Sequence, residues 1–264
     1  MTDLDVLVHR LRAAGCVFAE DEAALLTAEA VDEEHLGAMV AERVGGRPLE
    51  QVLGWARFAG LRIALEPGVF VPRRRTELVA ELAVELAGFA GPHPVVVELC
   101  CGAAPVGAAV LAALPEADLT VADVDPAAVR AARRNVGERA RVLLGDLDAP
   151  LPSSLRGTVD VLVANAPYVP TEAVATMPPE ARDHEPRVAL DGGADGLDVA
   201  RRVVACAPAW LRPGGHLVIE TSVHQAPVLM AAYERAGFVA ETRHDGERGG
   251  TAVVGRFDNG SQSN

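Results

Sequence analysis

Residues 95–146 read VVVELCCGAAPVGAAVLAALPEADLTVADVDPAAVRAARRNVGERARVLLGD. The run 95–99 is short and apolar, the signature of a strand buried on both faces. The small-residue loop after it leads into a helical pattern over 105–114. A second strand pattern covers 118–124 and a second helix 126–136, with Pro126 at the first helical position. Asp125 immediately before Pro126 reads as an N-cap. A third strand pattern follows at 141–146. Strand, helix, strand, helix, strand is a parallel sheet with helices on its faces.

The alternation continues outward. Strand patterns occupy 159–165 and 216–221, with a helix over 196–211 between them and another ending at Gly237. A polar segment rich in Pro and Gly spans 166–195. The last two strand patterns, FVAETRH and TAVVGRF, are separated only by DGERGG, too short for a crossover helix. They are expected to pair antiparallel. Upstream, Phe58, Leu61, Ile63 and Leu65 suggest a β-hairpin-like link within 47–72. Thr76 is expected to cap a helix bearing Leu78, Val79, Leu82 and Leu86. Residues 2–45 read as short helices, with Leu4, Leu7, Val8 and Leu11 on one stripe and Leu36, Met39, Val40 and Val44 on another. The fold class is α/β: a doubly wound, mostly parallel sheet with an antiparallel C-terminal strand and a small helical N-terminal domain.

Composition narrows the function. The chain has 264 residues, 50% hydrophobic and 23% charged, enough apolar surface for a substantial core. Its formal charge of −13 is poorly suited to phosphate backbones, so a nucleic-acid partner is disfavoured. Every basic residue apart from histidine is Arg, a bias that reads as codon pressure. The four cysteines, Cys16, Cys100, Cys101 and Cys206, form no C-x-x-C pair, so neither a metal site nor a disulfide framework is expected. The N-terminus carries acids, unlike a signal peptide, and no apolar run is long enough to span a membrane. A cytoplasmic protein is expected.

In open parallel sheets, ligands bind where the strands end. After the first strand, Glu98 leads into Cys100, Cys101, Gly102, Ala103 and Ala104, a loop of small residues that lets a ligand approach backbone N–H groups. After the second, Asp123 can accept hydrogen bonds from ribose hydroxyls. After the third, Asp146, followed by Leu147, can accept from an exocyclic amine. After the fourth comes Asn165-Ala166-Pro167-Tyr168. The Asn165 side-chain carbonyl and the Ala166 backbone carbonyl are acceptors for an NH₂ group. Pro167 confines Ala166 to extended geometry and so aims its carbonyl. The Tyr168 ring can stack on a planar amide or base, a task that needs the ring and not the hydroxyl. His184 beside Glu185 reads as a loop histidine, and Arg73 to Arg75 as either substrate contacts or helix-charge partners.

These residues, in this order, resemble S-adenosylmethionine-dependent class I methyltransferases. More narrowly the chain resembles the protein-(glutamine-N5) methyltransferases of the HemK type. The segments that carry the resemblance include RPLEQVLGWARFAGLRI, VVELCCGAAPVG, VLVANAPYVP, EPRVALDGGADGLD and LRPGGHLVIE. It implies a seven-stranded methyltransferase domain over 76–257, a hairpin linker over 47–75 and a helical substrate-recognition domain over 1–46; the polar residues DNGSQSN from 258 read as a disordered tail. It also implies that Cys100 to Ala104 lie under the methionine part of the cofactor S-adenosyl-L-methionine. Asp123 would hold the ribose, Asp146 and Leu147 would flank adenine, and Asn165 to Tyr168 would hold the target glutamine amide. The implied partner is a protein substrate, a release factor or another glutamine-bearing protein.

Three places depart from the family pattern. Cys100 and Ala104 stand where the loop usually has glycines, and a Cβ in a left-handed conformation costs about 1 kcal/mol, so a reshaped loop is expected. Ala166 stands for the first Pro of Asn-Pro-Pro-Tyr. Arg75 stands for a Glu in Pro-Arg-Pro-Glu-Thr-Glu, reversing a charge. Two other readings of the same residues are an N6-adenine or N4-cytosine nucleic-acid methyltransferase and a cofactor-binding regulatory protein that has lost catalysis.

Overall fold

A computed structural model describes residues 4–258 of the chain. Helices α1 (Leu4–Ala13), α2 (Ala19–Glu29) and α3 (Glu33–Val44) come first. They bury Leu7, Leu11, Leu26, Met39 and Val40 against one another. Leu4 and Val44, at the outer ends of the two apolar stripes, stay exposed. The short helix α4 (Leu49–Leu53) opens the linker region and packs on this cluster through Leu49, Val52 and Leu53. The sequence pattern gave no sign of it, because five residues carry too little periodicity.

The hairpin is β1 (Trp55–Phe58) and β2 (Leu61–Ala64), paired antiparallel. Ala59 and Gly60 make its two-residue turn, both with positive φ, as a turn compatible with strand twist requires. Phe58 and Ile63 face inward and join the core of the main sheet. Helix α5 (Glu77–Ala90) follows a 3₁₀ turn, Arg74–Thr76. Thr76 does not cap it: its backbone is already helical and its side chain makes no capping bond. Its hydroxyl faces Asn165 instead.

The chain then alternates as β3 (Val95–Leu99), α6 (Pro105–Ala113), β4 (Asp118–Asp123), α7 (Pro126–Val136), β5 (Ala140–Leu144) and β6 (Val159–Ala164). Asp125 caps α7 through the Ala127 N–H. Next come α8 (Pro179–His184), α9 (Asp198–Cys206), β7 (Leu211–Glu220), α10 (Ala226–Arg235), β8 (Phe238–Asp245) and β9 (Gly250–Phe257). The seven-stranded sheet has the order β5-β4-β3-β6-β7-β9-β8, parallel except for β9, which runs antiparallel to both its neighbours. Alternate residues of each strand serve opposite cores. Val96, Val161 and Val218 pack toward α5 and α6, while Val97, Leu162 and Leu217 pack toward α9 and α10. Of the expected tail, Asp258 is hydrogen-bonded through its N–H to the Gly237 carbonyl, and the rest lies outside the described residues.

The helical N-terminal region is tied to the segment that follows β6. The buried Arg43 guanidinium pairs with Glu22 on α2 and with Glu180 on α8, both at 2.6 Å. Gln51 on α4 donates to the Val69 and His184 carbonyls. Among the described residues no helix is long and apolar enough to cross a membrane.

Candidate active site

Strand order reverses between β3 and β6, and a cleft of about 720 Å³ opens at their carboxyl ends. It is lined by Glu98, Cys100, Cys101, Gly102, Ala103, Asp123, Asp146, Leu147, Asn165, Ala166, Pro167 and Tyr168. Of the residues expected to hold the cofactor or the amide, Ala104 alone does not line it. It is fully buried behind the loop as the N-cap position of α6.

Cys100, Gly102 and Ala104 take φ of 53°, 54° and 55°, so two Cβ-bearing residues accept the left-handed conformation. Leu147, on the far wall, is a third such residue, with φ of 49°. Three kinds of bond hold the loop. The Cys101 N–H donates to the Ala122 carbonyl, and the Ala104 N–H to the Cys101 carbonyl. The Gly102 N–H donates to Asp123 Oδ2 at 2.8 Å. Asn135 on α7 donates to the Ala103 carbonyl at 2.8 Å while its amide also pairs with the backbone of Ala64. One asparagine thereby registers the hairpin against the loop. It falls within the quoted sequence motifs, but only the fold gives it that task.

Asp123 is prepared rather than free. Its Oδ1 accepts from the Asp125 N–H at 2.9 Å and its Oδ2 from Gly102. Each carboxylate oxygen keeps a second lone pair for a ligand hydroxyl. Desolvation by burial pushes its pKa above the ordinary carboxylate value. Glu98 is buried more deeply, and desolvation raises it to about 8 despite the Gly107 N–H donated to it at 2.7 Å. That bond leaves no room at Gly107, where a Cβ would sit 2.8 Å from Glu98 Oε2. Desolvation likewise pushes the Cys100 and Cys101 thiols up, which makes them packing groups and poor nucleophiles. Asp146 is exposed and already paired with Arg202 on α9 at 2.7 Å. Arg202 also lines the cleft and had no sequence signal.

On the other side, Asn165 leaves the end of β6 and donates through Nδ2 to Thr76 Oγ1 at 3.4 Å. Its Oδ1 is thereby left as an acceptor. Among the described residues no backbone N–H or side chain donates to the Ala166 carbonyl. The turn is braced from behind by the glycine-rich loop 191–196. The Val169 N–H donates to Leu190, and the Gly192 N–H returns to the Val169 carbonyl at 2.9 Å. A Cβ on Gly192 would lie 2.5 Å from the Pro167 carbonyl oxygen, and one on Gly196 2.3 Å from that of Tyr168. Gln225, at the start of α10, donates to the Tyr168 and Asp195 carbonyls, both at 2.9 Å. The EPRVALDGGADGLD segment is thus the mould for the turn.

The Tyr168 hydroxyl has work that stacking does not require. It accepts from Arg75 Nε at 2.7 Å and donates to Glu220 Oε1 at 3.1 Å. Arg75 Nε also lies 3.2 Å from Glu220. Glu220 is buried at the end of β7, and desolvation raises its pKa. Its Oε2 has no hydrogen-bond partner among the described residues. Glu185 serves structure: it accepts the Val71 N–H and both its oxygens accept from Arg73 Nη2, at 2.6 and 2.7 Å. His184 takes part through its backbone carbonyl and does not line the cleft.

Comparison with known proteins gives a consistent result. Residues 60–179 match the family described as the methyltransferase small domain. The chain is 37% identical over 204 residues to the release factor glutamine methyltransferase of Geobacter sulfurreducens, covering 76% of this chain and 69% of that one. It is 36% identical over 203 residues to the 4-amino-L-phenylalanine/4-methylamino-L-phenylalanine methyltransferase of Streptomyces pristinaespiralis, covering 75% of this chain and 69% of that one. Among solved structures, a methyltransferase from Pyrococcus furiosus shares the fold, with a TM-score of 0.54 at 16% identity over 76% of this chain and 90% of that one.

Proposed function

Because the chain belongs to the release factor glutamine methyltransferase family, an S-adenosylmethionine-dependent enzyme family acting on a protein glutamine, we propose that turn 165–168 is its amide clamp and loop 100–104 its cofactor seat. The observation that carries this reading is the pairing of two opposite devices across one cleft. A cradle of small residues with an oriented carboxylate faces a turn that presents two free oxygen acceptors.

The residues fit S-adenosylmethionine. Asp123 keeps lone pairs for the ribose hydroxyls, and the left-handed loop admits the methionine part close to its backbone. When bound, the cofactor supplies an electrophilic sulfonium methyl. The protein's share is orientation and electrostatics. Asn165 Oδ1 and the Ala166 carbonyl accept the two N–H bonds of the substrate amide, which directs its nitrogen lone pair out of that plane. As positive charge grows on the nitrogen, the same acceptors bind it more tightly. No side chain needs to take a proton before the methyl moves; the methylated nitrogen loses its extra proton to water afterwards.

The acceptor is a glutamine in a protein, and a release factor is the first candidate to test. The −13 charge argues against a nucleic-acid substrate. A cytoplasmic location is the compartment this reading fits. The test is to incubate the protein with isotope-labelled cofactor and host-cell lysate, then map the labelled residue. A label on glutamine N5 supports the reading. A label confined to nucleic acid, or to a free amino acid, replaces it.

A further inference from the structure

Two arginines border the amide clamp, and neither is spent. Arg75 lines the cleft with 42% of its side chain exposed. It hydrogen-bonds only through Nε, to the Tyr168 hydroxyl and Glu220 Oε1, and its guanidinium lies 5.7 Å from the Tyr168 ring centroid. Its two terminal nitrogens have no partner among the described residues. Arg73 also lines the cleft and gives only Nη2 to Glu185, with its guanidinium 5.1 Å from the Phe70 ring centroid. An arginine kept only to neutralise Glu220 would close a two-pronged pair with it; this one meets it edge-on through a single nitrogen. Held at Nε by a hydroxyl and a buried carboxylate, the Arg75 fork is fixed before any ligand arrives, so little entropy is lost on binding.

We infer that Arg75, flanked by Arg73, is a carboxylate-recognition site, and that the acceptor glutamine is presented with a carboxylate beside its side-chain amide. This rests on the assignment of turn 165–168 as the amide clamp. The distribution of charge supports it. The acids Asp123, Asp125 and Asp146 gather at the ends of β4 and β5, on the cofactor side. Glu180 lines the cleft but is bound by Arg43; Glu50, on α4, also lines it, close enough for its charge to act on Glu185. At the clamp itself, Arg73 and Arg75 face Glu185 and Glu220, with Glu50 nearby, so the corner offers directed N–H donors without an excess of positive charge. That suits a monoanion. A phosphate dianion calls for more uncompensated cations.

The carboxylate has two sources, an acidic side chain flanking the glutamine or the α-carboxylate of a C-terminal glutamine. Four synthetic peptides distinguish them: glutamine flanked by Asp or by Asn, and C-terminal glutamine as free acid or as amide. Methyl transfer by the full chain is measured as kcat and KM for each. The expected result is a preference of roughly tenfold or more in kcat/KM for the acid member of one pair, expressed mainly in KM. R75Q should reduce it to less than twofold, R75K should keep part of it, and R74Q, at an exposed position outside the cleft, should keep all of it. Melting curves check that R75Q folds; if it does not, the wild-type comparison and R75K decide. Equal kcat/KM within both pairs for the wild type overturns the inference and leaves the glutamine reading standing, as does a preference that survives R75Q. If no peptide is methylated while calorimetry shows the cofactor bound, the glutamine reading fails and takes this inference with it.

Discussion

Loop 100–104 and turn 165–168 leave neighbouring strands, β3 and β6, and are held in place by opposite means. The loop is made from within. Its conformation is written in three successive left-handed residues at alternate positions, two of them carrying a Cβ that resists it. Its partners lie on the strands and helices next to it, β4 and α7, and one of them is the carboxylate of Asp123. The turn is made from without. Backbone and side chains from Thr76, loop 191–196, Gln225 and Arg75 converge on it from distant parts of the chain. The difference suits the two tasks. In the proposed reading, a cofactor with a flexible chain would be gripped by a compact cradle of backbone and one carboxylate. A weakly nucleophilic amide must be aimed, and aiming needs a scaffold that does not give.

The comparison breaks first at Asn165. Asn165→Ala should lower kcat by roughly 10²–10³ with little change in Tm, because it removes an acceptor that strengthens as charge develops. Transfer at the wild-type rate would remove the clamp altogether. Next is Gly192→Ala, whose Cβ would meet the Pro167 and Gly196 carbonyl oxygens at 2.5 Å. We expect a destabilisation of about 1–3 kcal/mol in chemical denaturation, with transfer lost in parallel. A variant as stable as the wild type would mean that the mould yields.

Asp123→Ala probes the other region. Losing the ribose acceptor and the tether of Gly102 together should weaken S-adenosylmethionine at least tenfold by calorimetry. Unchanged affinity would move the cofactor off this strand end. Tyr168→Phe sharpens the contrast. Stacking alone predicts a mild effect, but the hydroxyl joins Arg75 to Glu220, whose second oxygen is already without a partner. We expect roughly a tenfold loss in kcat/KM and a lower Tm, since a buried carboxylate is left less satisfied. The smallest effect belongs to Ala104→Gly. Relief of left-handed strain, about 1 kcal/mol, is offset in part by the freer unfolded chain. Urea denaturation should show unchanged or slightly raised stability, opposite in sign to Gly192→Ala.

The order of elements around the sheet was legible in the sequence because hydrophobic periodicity and strand length are local properties. So were the strand ends that line the cleft, since a strand end is marked by where its apolar run stops. Asp125 could be read as a cap for the same reason: capping is decided within three residues. Thr76 carried a similar local signal and went elsewhere, because β6 brought Asn165 up to its hydroxyl. Loop 100–104 carried a local cost at Cys100 and Ala104, yet both residues take the left-handed conformation. The strand before it, the helix after it and Asn135 from α7 over-determine it. The charge of Arg75 was visible in the sequence, but its partners lie 93 and 145 positions away. Composition and pattern determined what kinds of element this chain forms and in what order. Which side chains meet was decided only when the sheet brought distant strand ends together, because hydrogen bonds and ion pairs depend on distances in space that separation along the chain does not encode.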